Sequence, residues 1–111
     1  MIRCERQGAV HVVAPEAVLN RELGDELQSV VATQLSAGRP AVVVNLHAIP
    51  LIDSAGLEAL LDLRDQLQAL GGEMKLAAAN PLCRDILAAT GVSQQFRDYP
   101  SVKLAIGSFL A

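Results

Sequence analysis

Three sets of side chains in this chain could do chemistry: a serine beside an acid, Asp53-Ser54; a row of carboxylates, Glu58, Asp62 and Asp65; and the pairs His11 and His47, Cys4 and Cys83. The serine carries the most. It stands where a buried strand and its loop give way to a helix, so Asp53 and Ser54 fall at a helix N-terminus. Such an end leaves backbone N–H groups unpaired and carries a partial positive charge. A phosphate on Ser54 would be partly neutralised there while projecting about two negative charges outward. Gly56, with no side chain in the first turn, would let a partner's backbone or a bulky nucleotide approach closely. Asp and Ser are also ordinary N-cap residues, and an Asp-Ser pair ahead of an apolar helix can be there for that reason alone.

The other two sets read as structure. A serine nucleophile on an α/β scaffold would show Gly-x-Ser-x-Gly, but the residue two before Ser54 is Ile52. His11 lies inside a strand pattern and His47 in a loop, which leaves no evident base for a triad. Glu58, Asp62 and Asp65 repeat as the polar face of an amphipathic helix does, and a solvated face accounts for them. Cys4 and Cys83 form no Cys-x-x-Cys, and neither histidine has a companion at metal-ligand spacing. Neither Gly-x-Gly-x-x-Gly nor Gly-x-x-x-x-Gly-Lys-Ser/Thr occurs. The expectation is reduced cysteines, no metal, no cofactor and no enzyme.

Whole-chain properties narrow the field further. The 111 residues, 51% of them hydrophobic, suit one domain spanning 1–111. No run of eighteen apolar residues and no basic-then-apolar leader is present, so a cytoplasmic protein without membrane insertion is expected. The net charge is −3, the nine Lys and Arg are scattered, and Phe96, Tyr99 and Phe109 are the only aromatics. Nucleic-acid binding, which uses a basic face and often stacking platforms, is disfavoured.

The elements that must hold Ser54 follow from periodicity and punctuation. Ile2 to Gln7 and Ala9 to Val13 read as two strands turning at Gln7-Gly8. Asn20 can cap a helix to about Ala37 with Leu23, Leu27, Val30, Val31 and Leu35 as its buried stripe, ended by Gly38-Arg39-Pro40. Ala41 to Asn45 is a fully buried strand. The helix from Ser54 buries Leu57, Leu60, Leu61, Leu63, Leu67 and Leu70 and stops at Gly71-Gly72. Glu73 to Ala78 is the next strand; Asn80 caps and Pro81 opens a helix ending at Thr90-Gly91. Gln95 to Tyr99 is a short edge strand, and Ser101 starts a last helix through Phe109. The order ββαβαβαβα predicts an α/β domain with a mostly parallel sheet and an antiparallel first strand at its edge. Partners then meet the loops at the carboxyl ends of the strands: 14–20, 47–53 and 78–81. In the middle loop Ile49 and Leu51 either seal the core or form an apolar contact patch.

Val42 to Leu61, Val-Val-Val-Asn-Leu-His-Ala-Ile-Pro-Leu-Ile-Asp-Ser-Ala-Gly-Leu-Glu-Ala-Leu-Leu, resembles the signature of STAS domains, the anti-sigma-factor antagonist family. The likeness continues through Gly71 to Leu76, Asn80-Pro81 and Leu87 to Val92, and includes the element order. It implies that Ser54 corresponds to the serine phosphorylated by a cognate anti-sigma kinase, Asp53 to the acid before it, and Asn45 to a position carrying Asp or Asn. The residues expected to meet a partner are Leu51, Asp53, Ser54, Ala55 and Gly56, with Asn20 and Asn80 from the adjoining loops. Where the family usually has Gly-x-x-Asp, this chain has Ala17-Val18-Leu19-Asn20, which keeps the helix cap but removes a negative charge from the expected interface.

The resemblance implies partner switching. The unphosphorylated Ser54 edge docks on a serine-kinase anti-sigma factor of the histidine-kinase-like ATPase type, phosphorylation breaks the contact, and a serine phosphatase resets it. An alternative is a STAS subunit of a larger assembly, stressosome-like or in a lipid-transport ABC complex, whose loop binds but is not phosphorylated. Direct nucleotide binding near Ser54 is a further rival without a phosphate-binding loop to support it. The open edge of the first strand allows a monomer or a weak homodimer.

Overall fold

The central strand of the sheet shows why the chain folds as it does. Val42, Val43 and Val44 are all fully buried, which an alternating strand can achieve only when both faces of its sheet are covered. The computed structural model describes residues 1–34 and 39–110. Its elements are β1 (Ile2–Gln7), β2 (Val10–Pro15), α1 (Arg21–Gln34), β3 (Ala41–Asn45), α2 (Ser54–Ala69), β4 (Glu73–Ala77), α3 (Pro81–Ala89), a 3-10 turn (Val92–Gln95), β5 (Arg97–Tyr99) and α4 (Val102–Leu110). The sheet order is β1-β2-β3-β4-β5, antiparallel between β1 and β2 and parallel elsewhere. The expected architecture is therefore the observed one, a single α/β layer arrangement with the antiparallel strand at one edge.

Strand alternation splits the core in two. Val13, Val42, Val44, Met74 and Leu76 pack beneath α1 and α2, against Leu23, Leu27, Leu57, Leu60, Leu63 and Leu67, with Cys83 and Leu87 of α3. Val10, Val12, Val43 and Ala77 face the other way, beneath Ala105, Ile106 and Phe109 of α4. On that second face one buried residue is charged: Lys75, 2% exposed, whose Nζ donates to Ser108 Oγ at 2.7 Å and lies 4.0 Å from the centre of the Phe109 ring.

Some boundaries differ from those expected. β2 runs on to Pro15 because Ile2 pairs with it across the hairpin. β4 stops at Ala77, since Ala78 takes a left-handed backbone with φ 60 that cannot continue a strand. The stretch expected to open β5 at Gln95 is a 3-10 turn through that residue, and pairing begins at Arg97. Leu70, placed on the buried stripe by spacing, caps α2 and is exposed, because the helix ends there and Gly71, at φ +76, turns the chain away. Leu35, the expected end of the first helix near Ala37, and the Gly38 stop lie outside the described residues.

Candidate functional site

The parallel strands β2, β3 and β4 end on one edge of the sheet, and the loop from Leu46 to Asp53 crosses it. Local polar groups fix the loop at every step. Leu46 N–H extends the ladder to Ala77 O at 2.9 Å, and Asn45 Oδ1 accepts from His47 N–H at 3.0 Å, an Asx turn that ends β3. Ile49 N–H returns to Leu46 O at 3.0 Å. Ile49 and Ile52 plunge into the core, 0% and 2% exposed, whereas Leu51 between them stays 40% exposed. Of this apolar pair, Ile49 seals the core and Leu51 faces solvent.

The loop is held from both sides. From the β4–α3 connection, Asn80 uses its whole amide: Oδ1 caps α3 through Cys83 N–H at 2.7 Å, and Nδ2 donates to Ile49 O at 3.1 Å. From the β2–α1 connection, Leu19 forms a parallel bridge with Ile52, its N–H donating to Leu51 O at 3.0 Å and its O accepting from Asp53 N–H at 3.1 Å. Asn20 then caps α1 by accepting from Leu23 N–H at 3.0 Å. Asn20 and Asn80, both expected at the site, are half-buried: Asn80 spends both ends of its amide inside the protein, and Asn20 spends its Oδ1 on the α1 cap.

At the start of α2 the Asp-Ser pair divides its labour. Asp53 is the N-cap: Oδ1 accepts from Gly56 N–H at 2.8 Å. Ser54 is the first helical residue, exposed, and its hydroxyl enters no side-chain hydrogen bond among the described residues. The helix end therefore has its cap without Ser54, and the hydroxyl points free at the positive end of the helix dipole. Ala55 is half-buried along a groove between α1 and α2 lined by Arg21, Asp25, Gln28, Glu58 and Asp62.

Gly56 has a different role from the one expected of it. It is buried, and a Cβ built on it would lie 2.1 Å from the carbonyl oxygen of Leu19. The backbone that needs this glycine is the chain's own, so the space it leaves is already filled. Leu51, Asp53 and Ser54 are the expected site residues that share an exposed edge, with Ala55 at its margin.

Sequence reasoning missed two features nearby. Leu19 is fully buried and ties the two loops together; its only signal was a short apolar run, Ala17-Val18-Leu19, before the Asn20 cap. Ala17, which stands where the resembled family usually carries glycine, has φ 154, outside the range that side-chain-bearing residues favour. A cleft of about 570 Å³ also lies beside the site, lined by His47, Ala78, Ala79, Arg84, Asp98, Tyr99 and Pro100. Within it burial pushes the Asp98 carboxyl up, and the nearby Arg84 charge draws it back in part. Among the described residues no group of His, Cys, Asp and Glu is placed to hold a metal, and no helix is long and apolar enough to cross a membrane.

The family model for the STAS domain matches residues 2–105. BtrV of Bordetella bronchiseptica, assigned as an anti-sigma factor antagonist, is 29% identical over 94 residues, covering 85% of this chain and 81% of that protein. A crystal structure assigned to an anti-sigma factor antagonist from Thermotoga maritima superposes with a TM-score of 0.87 at 18% identity, covering 96% of this chain and 92% of that one. The anti-sigma factor antagonist SpoIIAA in its unphosphorylated form superposes with a TM-score of 0.80 at 18% identity, covering 98% and 96%. The same fold occurs within anion and sulfate transporters. At these identities the solved structures establish the fold alone.

Proposed function

The chain belongs to the STAS domain family, and from that premise we propose that it is an anti-sigma-factor antagonist whose Ser54 edge binds a serine-kinase anti-sigma factor and is switched off by phosphorylation of Ser54. The observation that carries the reading is the division of roles at the start of α2. Asp53 alone caps the helix, which leaves an exposed serine hydroxyl unused by the fold. Its neighbour Leu51 supplies an exposed apolar contact, and the loop bearing both is braced by Leu19 and Asn80, so little ordering entropy is left to lose on binding.

The switch is electrostatic in this reading. A phosphate on Ser54 gains from the helix N-terminus but sits beside the Asp53 carboxylate and inside a packed interface, where like-charge repulsion and desolvation oppose docking. The chain is then a substrate and a ligand, and a serine phosphatase resets it. Replacement of the family's Gly-x-x-Asp by Ala17-Val18-Leu19-Asn20 removes one acid from the edge, so the kinase partner is expected to present one basic contact fewer there.

A second reading draws on the shared fold with transporter regions: a STAS subunit whose loop binds constitutively within a larger assembly. One experiment separates them. The protein and its Ser54→Ala variant are incubated with ATP in lysate of the source organism and mapped by mass spectrometry, with a known kinase substrate as positive control. Phosphorylation at Ser54 that is absent from the variant supports the switch. An unmodified Ser54 beside a labelled control refutes it and favours the assembly subunit. Ser54→Asp should weaken binding to the kinase so identified, and equal affinity would sink the charge-switch account.

A further inference from the structure

The two edges of the sheet are treated very differently. β5 is three residues long and is closed off by Pro100, two of the usual protections of a free edge. β1 has six residues, no proline, no lysine and no bulge in its register with β2, and Arg3 through Ala9 are all exposed. Its protection is charge alone, carried by Arg3, Glu5 and Arg6, and charge of both signs repels a foreign strand but not one that presents the opposite charges in register.

We propose that β1 pairs antiparallel with β1 of a second copy of this chain, across a two-fold axis at Cys4. Two independent features of the strand select that register. The first is backbone parity. Gln7 and Val10 close a two-residue turn, and Met1 O accepts from Glu16 N–H at 2.9 Å, so the groups of Met1, Arg3, Glu5 and Gln7 face β2. Those of Ile2, Cys4 and Arg6 face outward. An axis at Cys4 sets Cys4 opposite its own copy and Ile2 opposite Arg6, so that every outward N–H and C=O of the strand is paired.

The second feature is charge. In the same register Arg3 lies opposite Glu5 of the other copy, twice by symmetry, in the closer non-hydrogen-bonded pairing where cross-strand side chains interact most. Shifting the axis to Arg3, Glu5 or Arg6 sets that residue against itself and leaves part of the strand unpaired. The strand is thus complementary to itself at one register, which is the property an isologous interface requires and one that a foreign strand would match only by coincidence. Within the monomer these charges have surface partners they can exchange: Arg3 contacts the half-buried Glu16 at 3.0 Å, and Glu5 accepts from the exposed Gln7 at 2.9 Å. None of the residues used belongs to the Ser54 edge, so the dimer carries two such edges and stands apart from the proposed switch.

Sedimentation of the full chain from about 1 µM to about 1 mM, with charge reversals, tests this. Glu5→Arg, on an exposed side chain, should weaken the dimer about tenfold by turning two attractive pairs into repulsive ones, and the double reversal R3E/E5R should restore it to within about threefold. A short bis-maleimide should join two chains through Cys4, and Cys4→Ala should abolish the product, since Cys83 is buried. A monomer at every concentration overturns the proposal. So does a dimer that ignores Glu5→Arg, or one that cannot be joined at Cys4, because either places the interface elsewhere.

Discussion

Replacing Gly56 by alanine separates two explanations of that residue. If the glycine left room for a partner, the variant would fold normally and lose binding. The structure gives the opposite expectation: the new Cβ would lie 2.1 Å from Leu19 O and 2.8 Å from Leu19 C. Both are backbone atoms of a residue held at each end, its O accepting from Asp53 N–H and its N–H donating to Leu51 O, so no rotamer change relieves the clash. Overpacking of this kind costs about 1–3 kcal/mol. Forcing the loops apart weakens at least one of the hydrogen bonds between them, about 1 kcal/mol more. A total near 3 kcal/mol is a large part of the ~5–15 kcal/mol that holds a domain together. It should lower the urea midpoint by about 2 M and Tm by about 12 °C. Gly107→Ala is the matched control: it adds the same methyl in α4, where nothing lies within 4 Å, and better helix propensity should stabilise by about 1 kcal/mol. Urea unfolding followed by circular dichroism measures both. A Gly56→Ala protein within about 0.5 kcal/mol of the parent would refute the packing argument, that margin being the usual size of a neutral surface change.

Other residues give sharp expectations of the same kind. Asn80→Ala removes a helix cap and the donor to the Ile49 carbonyl, and should cost about 2 kcal/mol, with faster hydrogen exchange across residues 46–53; Asn80→Ser should recover only the cap. Lys75→Met should be neutral or stabilising by about 1 kcal/mol, because Ser108 Oγ keeps its bond to Ala105 O when the buried cation goes. Lys75→Glu should instead destabilise strongly in the same urea titration. Asp98 is an exposed residue, but partial burial of its carboxyl in the cleft raises it above its ordinary value, so the native state holds that proton more tightly than the unfolded one and a small, solvent-screened part of the stability is lost as pH rises through the native pKa. Asp98→Asn should therefore raise Tm at pH 7, with the difference vanishing as pH falls below the ordinary aspartate range; a constant difference across pH would contradict this.

Much of the molecule is written in its local sequence. The hairpin at Gly8, the caps at Asn20, Asp53 and Asn80, Pro81 in the first turn of α3 and the stop at Gly71 are each decided by backbone chemistry within a few residues. The valine run of β3 needs both faces covered, and alternating strands and helices leave few ways to supply that. For these reasons the element order, the sheet and the position of Ser54 at a helix start were legible in the sequence. What the loops do to one another was not. Which of Ile49, Leu51 and Ile52 turns inward depends on Leu19 arriving from another loop, and the meaning of Gly56 depends on the carbonyl that arrives with it. Asn80 reads as the N-cap of α3 from the Pro81 that follows it, but its second role needs the Ile49 carbonyl, 31 residues away in sequence, to be brought within 3.1 Å. Lys75 carries no sign in the sequence that α4 will cover it. Periodicity and capping act within a few residues and so survive in the one-dimensional record. Contacts between loops are set by where the sheet delivers its strand ends, and only the folded chain fixes that.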